Sequence, residues 1–273
     1  MRRPGIYAAV VRTAFADRVA WRADAFFGAF MALARIAFAF VLWSAIFDGR
    51  AEVGGLSLPV VTSYYLVAVF VYQIDQSGSS AEMLAAEIRA GRFGAYLARP
   101  VDPLAWFLAA SAGRSAFQAT IVAFAAALAA LAFSLLGPGA SSLLEPLDPA
   151  GILAALPVLI SGLFSLGLIK FMTAILAFKF QDIGAFQIAQ NCLVEFLSGA
   201  LIPLALMPGA IRAALEMTPF PALASLPAEL ALGRGLESLP GTAMVLVGWN
   251  VALYAAARAM YASLSTRYEE FGS

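Results

Sequence analysis

The chain has 273 residues, of which 62% are apolar and only 12% charged, and its 17 basic and 17 acidic side chains cancel. A water-soluble domain carries about a quarter charged residues, so this composition excludes an ordinary soluble globule, and no excess positive charge points to nucleic acid. There is no histidine and a single cysteine, Cys192, which excludes an internal disulfide framework and histidine-based catalysis or metal binding, including histidine-dependent intramembrane proteolysis.

The chain opens with Arg2, Arg3, Arg12, Arg18 and Arg22. A secretory signal would place an apolar run of about 7–15 residues directly behind its charges. Here the first long run begins only after Arg22 and is longer, so it is expected to be a retained span. Within 5–22, Val11, Phe15 and Val19 recur at helical spacing, with Trp21 suited to headgroup level. This predicts a helix lying along the inner membrane surface. Arg18 interrupts the stripe, and a plain cytoplasmic extension carrying orienting arginines is the alternative reading.

Near-continuous apolar stretches follow at 23–47, 59–77, 115–136, 152–178, 183–206 and 240–257. Each approaches or exceeds the roughly 20 residues needed to cross a hydrocarbon core about 30 Å thick. None alternates with period two, so helices are favoured over a barrel. The expectation is an all-α membrane protein of six transmembrane helices, a single transmembrane domain over 1–273. Basic residues in short loops stay on the cytoplasmic side. Counting the N-terminal five, Arg89, Arg92, Arg99, Lys179 and Arg267 gives ten on one side, against Arg50, Arg212 and Arg234 on the other. Both termini are therefore expected in the cytoplasm.

Between the second and third stretches lies a charged loop, 79–103. Ser79 and Glu82 match a capping box, Met83 to Arg89 are good helix formers, and Gly91 is a stop. Asp102 is expected to cap the next helix, with Pro103 in its first turn. Read alone, Glu87, Arg89 and Arg92 could be a solvated inner loop. The runs Glu87-Ile88-Arg89-Ala90-Gly91-Arg92-Phe93 and Tyr96-Leu97-Ala98-Arg99-Pro100-Val101-Asp102-Pro103-Leu104, however, resemble the signature of ABC-2-type exporter permeases. A weaker match lies at Ser198-Gly199-Ala200-Leu201-Ile202-Pro203-Leu204, with Met207-Pro208, Thr218-Pro219-Phe220 and Pro227.

The resemblance implies a coupling helix near 80–90 docking on a separate ATPase, with Glu82, Glu87, Ile88, Arg89, Arg92, Tyr96, Arg99 and Pro100 as coupling residues. It also implies two ABC-type ATPase subunits, a second permease chain (identical or related), and a multi-pass location in the cell's inner (plasma) membrane among its lipids. The only lysines are Lys170 and Lys179, and neither belongs to a G-x-x-x-x-G-K-[ST] loop. No enzyme activity or cofactor is thus expected on this chain; ATP and Mg would sit on the partner.

Within the later stretches, Arg35, Lys170 and Glu195 are the deepest charges. Intramembrane charges default to functional candidates, and similar depths suggest a Lys170–Glu195 pair between neighbouring helices. That pair is either a structural tie or part of a substrate pathway, on a fifth stretch made polar by Gln187, Gln190 and Asn191. Asp75 and Arg114, near span ends, are assigned no role. The segment 203–239, broken by Pro203, Pro208, Pro219, Pro221 and Pro227 yet apolar, predicts short re-entrant helices on the outer side or else an ordinary structured loop. A secondary transporter or channel is the competing function, weakened by the lack of a repeat between the two halves. A lipid-modifying enzyme is the third, weakened by the scarcity of acid, base and nucleophile groups.

Overall fold

The computed structural model describes residues 4–20, 22–94, 101–135, 144–180 and 182–271. In chain order come α1 (Pro4–Ala20), α2 (Arg22–Phe47), a small antiparallel hairpin of β1 (Glu52–Val53) and β2 (Leu56–Ser57), then α3 (Leu58–Tyr72) and α4 (Ser77–Arg89). The rest is α5 (Pro103–Leu135), α6 (Pro149–Ile175), α7 (Gly184–Leu197), α8 (Gly209–Glu216), α9 (Ser225–Ala231) and α10 (Leu239–Phe271).

Local chemistry sets the helix starts. Pro149 occupies the first turn of α6, and the Asp148 carboxylate accepts from Ala150 N (3.3 Å) and Gly151 N (2.9 Å). Asp102 does the same for α5, accepting from Ala105 N at 3.0 Å. That helix therefore begins at Pro103, well before the apolar run expected from residue 115.

Apolar side chains line the outside as well as the core. Phe38 on α2, Leu153 and Ile160 on α6, and Met244 and Val251 on α10 all stand largely exposed. So many outward apolar side chains fit a lipid environment and not water. Three helical stretches among the described residues are long and apolar enough to cross a membrane: Leu58–Arg89, Pro149–Phe178 and Leu236–Ser265. Helices α2 (26 residues) and α5 (33 residues) have the length, about 39 and 50 Å at roughly 1.5 Å per residue. The chain is an all-α membrane protein.

The expected fifth span needs correction. Instead of one helix over 183–206, α7 stops at Leu197 after 14 residues, about 21 Å, too short for a core of roughly 30 Å. Tyrosines of α3 take up the carbonyls that the break releases. Tyr64 Oη donates to Gly199 O at 2.8 Å, and Tyr65 Oη donates to Leu201 O. In lipid an unsatisfied carbonyl is costly, so a buried break needs such donors.

Helix α6 is the hub. Its first half packs against α9, and its second half against α4, with α10 alongside. Asn250 of α10 donates to Ser161 Oγ (2.7 Å) and accepts from Ser165 Oγ (2.6 Å). The segment 203–239 forms the short helices α8 and α9, and α9 packs against both α3 and α6. The approach is close enough to require glycine. A Cβ on Gly151 would lie 1.8 Å from Leu230 O.

Helix ends are tied together by contacts between distant parts of the chain. At one end Tyr7 Oη accepts from Asp102 N (3.3 Å), Arg18 reaches Gln76 and Ser79, and Arg258 pairs with Asp102. At the other, Ser63 hydrogen-bonds the Glu145 backbone (N–H to Oγ, 2.8 Å) and Asp148 N donates to Ala231 O at 2.8 Å. Helix α1 packs along α5, with Phe15 meeting Phe117 edge-on at 5.5 Å. Trp21, the expected headgroup residue, lies outside the described residues.

Candidate functional site: the α4 joint and the α6–α7 seam

Helix α4 is two-faced. Ser77, Ser80, Ala81, Leu84, Ala85 and Ile88 are buried, at the spacing of one helix face. Their apolar members join a core with Phe93, Phe107, Phe171 and Ile175, which welds α4 to α5 and α6. Glu82, Met83, Ala86 and Arg89 form the outward stripe, followed by Arg92. Ile88, expected among the docking residues, is only 4% exposed and belongs to the packing face. Glu87 lies between the two faces, and Arg92 holds it with two bonds, Nε to Oε2 at 3.0 Å and Nη2 to Oε1 at 2.8 Å. Tyr96, Arg99 and Pro100 lie outside the described residues.

The helix begins differently from the capping-box expectation. Asp75, assigned no role in the sequence, caps it: Oδ1 accepts from Ser77 N (3.0 Å) and from Ser77 Oγ (2.6 Å). A carboxylate two residues ahead outcompetes Ser79 for the first turn, since charge-assisted bonds are the stronger ones. Ser79 lies inside the helix, where its hydroxyl donates to Gln76 O (2.9 Å) and accepts from Arg18 (3.0 Å). The stop is as expected. Gly91 adopts φ +70°, its N–H meets Ile88 O at 3.0 Å, and Arg92 N meets Glu87 O at 3.1 Å, a Schellman ending.

Two arginines that the sequence left without a task brace this joint. Arg18, read as an interruption of the α1 stripe, ties α1 to the start of α4 through Gln76 Oε1 at 2.8 Å and Ser79. Arg114 of α5 is buried and donates to Ser80 Oγ at 2.6 Å, with Met83 Sδ at 3.4 Å. Nothing in sequence spacing announces a bond across 34 positions; an arginine embedded in an apolar helix is the only signal.

The α6–α7 seam also differs from expectation. Lys170 is buried, but it donates to Asn191 Oδ1, not to Glu195. Glu195 instead meets Arg35 of α2 at 3.3 Å, where both side chains are partly exposed. Asn191 and Glu195 lie one turn apart on the same face of α7, and Lys170 meets the first while Arg35 meets the second. Thr173 Oγ1 donates to Gln190 Oε1 at 3.1 Å, one turn from the Lys170 contact; Gln187 completes that face of α7. Arg18, Arg35, Tyr72 and Gln73 line an adjoining cavity of about 430 Å³.

At the opposite end, Arg212, Glu216, Glu229 and Arg234 line a cavity of about 560 Å³ that the sequence did not single out. Arg212 Nε holds Glu216 Oε1 at 2.7 Å, which raises the arginine's already high pKa. Burial pushes the Glu229 carboxyl above the usual carboxylate range, against the pull of Arg212. No group of residues suited to hold a metal occurs among the described residues.

A family profile described as "ABC-2 family transporter protein" matches residues 33–272. The chain belongs to the ABC-2 transporter family. The match covers α2 from its middle to the end of α10 and includes α4 and the cavity lined by Arg212 and Glu229. No curated protein matches the chain. As an ABC-2 permease it is the transmembrane, non-catalytic component of a transporter, a family that associates with ABC-type ATPase subunits.

Proposed function

We propose that this permease is the membrane half of an ATP-driven exporter, moved by ATP hydrolysed on a separate nucleotide-binding subunit. The supporting observation is α4, which offers a polar outward stripe while its inward face is continuous with the core of α5 and α6. A partner gripping Glu82, Met83, Arg89 and Arg92 would move those two helices with α4, because close-packed cores transmit displacement instead of absorbing it. The partner need only bind one arrangement of the bundle better than the other to drive the transition.

In this reading α2, α3, α5, α6, α7 with its outer segment, and α10 make six membrane passes with both termini cytoplasmic. Two permease chains would sit with two ATPase subunits in the inner membrane, and ATP and Mg would stay on the partner. Lys170, Asn191, Arg35 and Glu195 would lie along or beside the path between protomers.

Co-expression with an ABC-type ATPase tests the reading. The complex is expected to copurify, and Glu82→Lys with Arg89→Glu is expected to release the ATPase while the permease stays folded. Substrate flux driven by an ion gradient in vesicles holding this chain alone would overturn it and favour a secondary transporter.

A further inference from the structure

Between α5 and α6 lies a cleft of about 390 Å³, separate from the α4 stripe and from the α6–α7 seam. That size is within the range of roughly 300–1,000 Å³ typical of small-molecule sites. Its walls are apolar, formed by Leu108 and Ala116 from α5 and by Leu159, Ile160 and Phe164 from α6. Alanines at 112, 116 and 119, one helix turn apart, leave the space open on the α5 side. Ile160 on the rim is 66% exposed, and Leu156 and Leu153 beside it also face outward. The cleft therefore opens sideways onto the apolar belt of the bundle.

Its polar lining is confined to the edge where α3 hands over to α4. Ser111 is only 6% exposed, lines the cleft, and among the described residues its Oγ has no hydrogen-bond partner. A buried hydroxyl without a partner calls for an occupant, since nearly all such groups are satisfied in folded proteins. Ser115 also lines the cleft, and its Oγ accepts from Gln76 N at 3.1 Å. Asp75 completes the edge: Oδ1 takes both bonds from Ser77, and Oδ2 makes no hydrogen bond among the described residues.

We propose that this cleft is a binding site for a single membrane lipid, its acyl chain lying between α5 and α6 and a hydrogen-bond-donating amine of its headgroup meeting Asp75 and Ser111. The distribution of lining favours a lipid over water, because apolar walls do not retain water while a polar rim beside them accepts a headgroup. The Asp75 carboxylate selects an ammonium over a head lacking N–H donors. Because Asp75 also caps α4, an occupant there contacts the joint between α4 and the bundle, independently of whether an ATPase docks on it.

The full-length permease, reconstituted in nanodiscs of phosphatidylcholine and phosphatidylethanolamine, provides the test. A phosphatidylethanolamine with a photoactivatable acyl chain is expected to label 108–119 and 156–167 above the outward face of α10 near Val247 and Val251. The same probe with a choline head should label the cleft more weakly. Ser111→Ala, which removes one oxygen and leaves the packing intact, should cut cleft labelling roughly three- to tenfold, the effect of one hydrogen bond. Ala116→Phe should fill the cleft and abolish labelling there while sparing α10. Labelling that is equal on the cleft and α10 faces, or unchanged in Ser111→Ala, would mean the cleft holds only water or fluid lipid and would overturn the proposal. Copurification of an ATPase has no bearing on these readouts.

Discussion

At one end of the bundle, α4 is fused into an aromatic core and braced by Arg18 and Arg114, with clefts of about 430 and 390 Å³ beside it, whereas Arg212, Glu216 and Glu229 line a cavity of about 560 Å³ around which the other end folds. Both ends consist of short helices broken by glycine and proline, yet they are stabilised differently. The α4 end relies on buried apolar side chains and charged hydrogen bonds that reach across the sequence. The far end relies on backbone-to-backbone approach, with Gly151 pressed against Leu230 O and Pro203, Pro219 and Pro221 fully buried. The core continuous with α4 can carry a push; backbone packed around a void can change shape at lower cost, because fewer contacts are lost when it opens.

The largest effect is expected where the far end has no slack. Gly151→Val would drive a side chain into the Leu230 carbonyl, 1.8 Å from an ideal Cβ, and should cost more than about 3 kcal/mol. Loss of a monodisperse species on size exclusion checks this, and a well-folded variant would mean α6 and α9 are not in contact. Next comes the brace. Arg114→Ala removes charged hydrogen bonds to Ser80 and Met83 and should lower stability by roughly 1.5–3 kcal/mol, read as thermal unfolding in detergent. If only the far end loosened, the division between the two regions would fail.

A smaller, pH-dependent effect is expected at the cavity. Burial raises the Glu229 pKa above its unfolded value, so its contribution to stability is complete in acid and is lost as pH rises through the raised value. Glu229→Gln should therefore be more stable than the parent at neutral pH, with the difference vanishing near pH 4. A pH-independent difference would show that charge is not the cause. The smallest effect on stability belongs to the α4 stripe. Glu82→Lys and Arg89→Glu lie on an exposed face and should change stability by less than about 0.5 kcal/mol, even as ATPase binding, measured by copurification, falls.

Much of the α4 site was legible in the chain itself. Gly91 announces a helix stop, Asp102-Pro103 announces a helix start, and the run around Glu87 to Leu104 carries the resemblance that pointed to the family. What could not be read was pairing across distance. Lys170 and Glu195 have similar depths counted along the chain, but Lys170 meets Asn191, one turn short of Glu195 on the same face, and Glu195 meets Arg35 of α2. Ile88 sits among charged neighbours in the sequence and is nonetheless core, because the helix turns it inward beside Leu84 and Ala85.

Composition and periodicity by themselves determined the membrane character and the helical class, since each follows from local burial and backbone hydrogen bonding. Only the tertiary structure decided where α7 breaks, that Asp75 caps α4, that Arg18 and Arg114 brace it, and that clefts remain between the helices. Those features depend on which helix faces meet, and facing is fixed by the packing of the whole bundle, not by any segment of the chain alone.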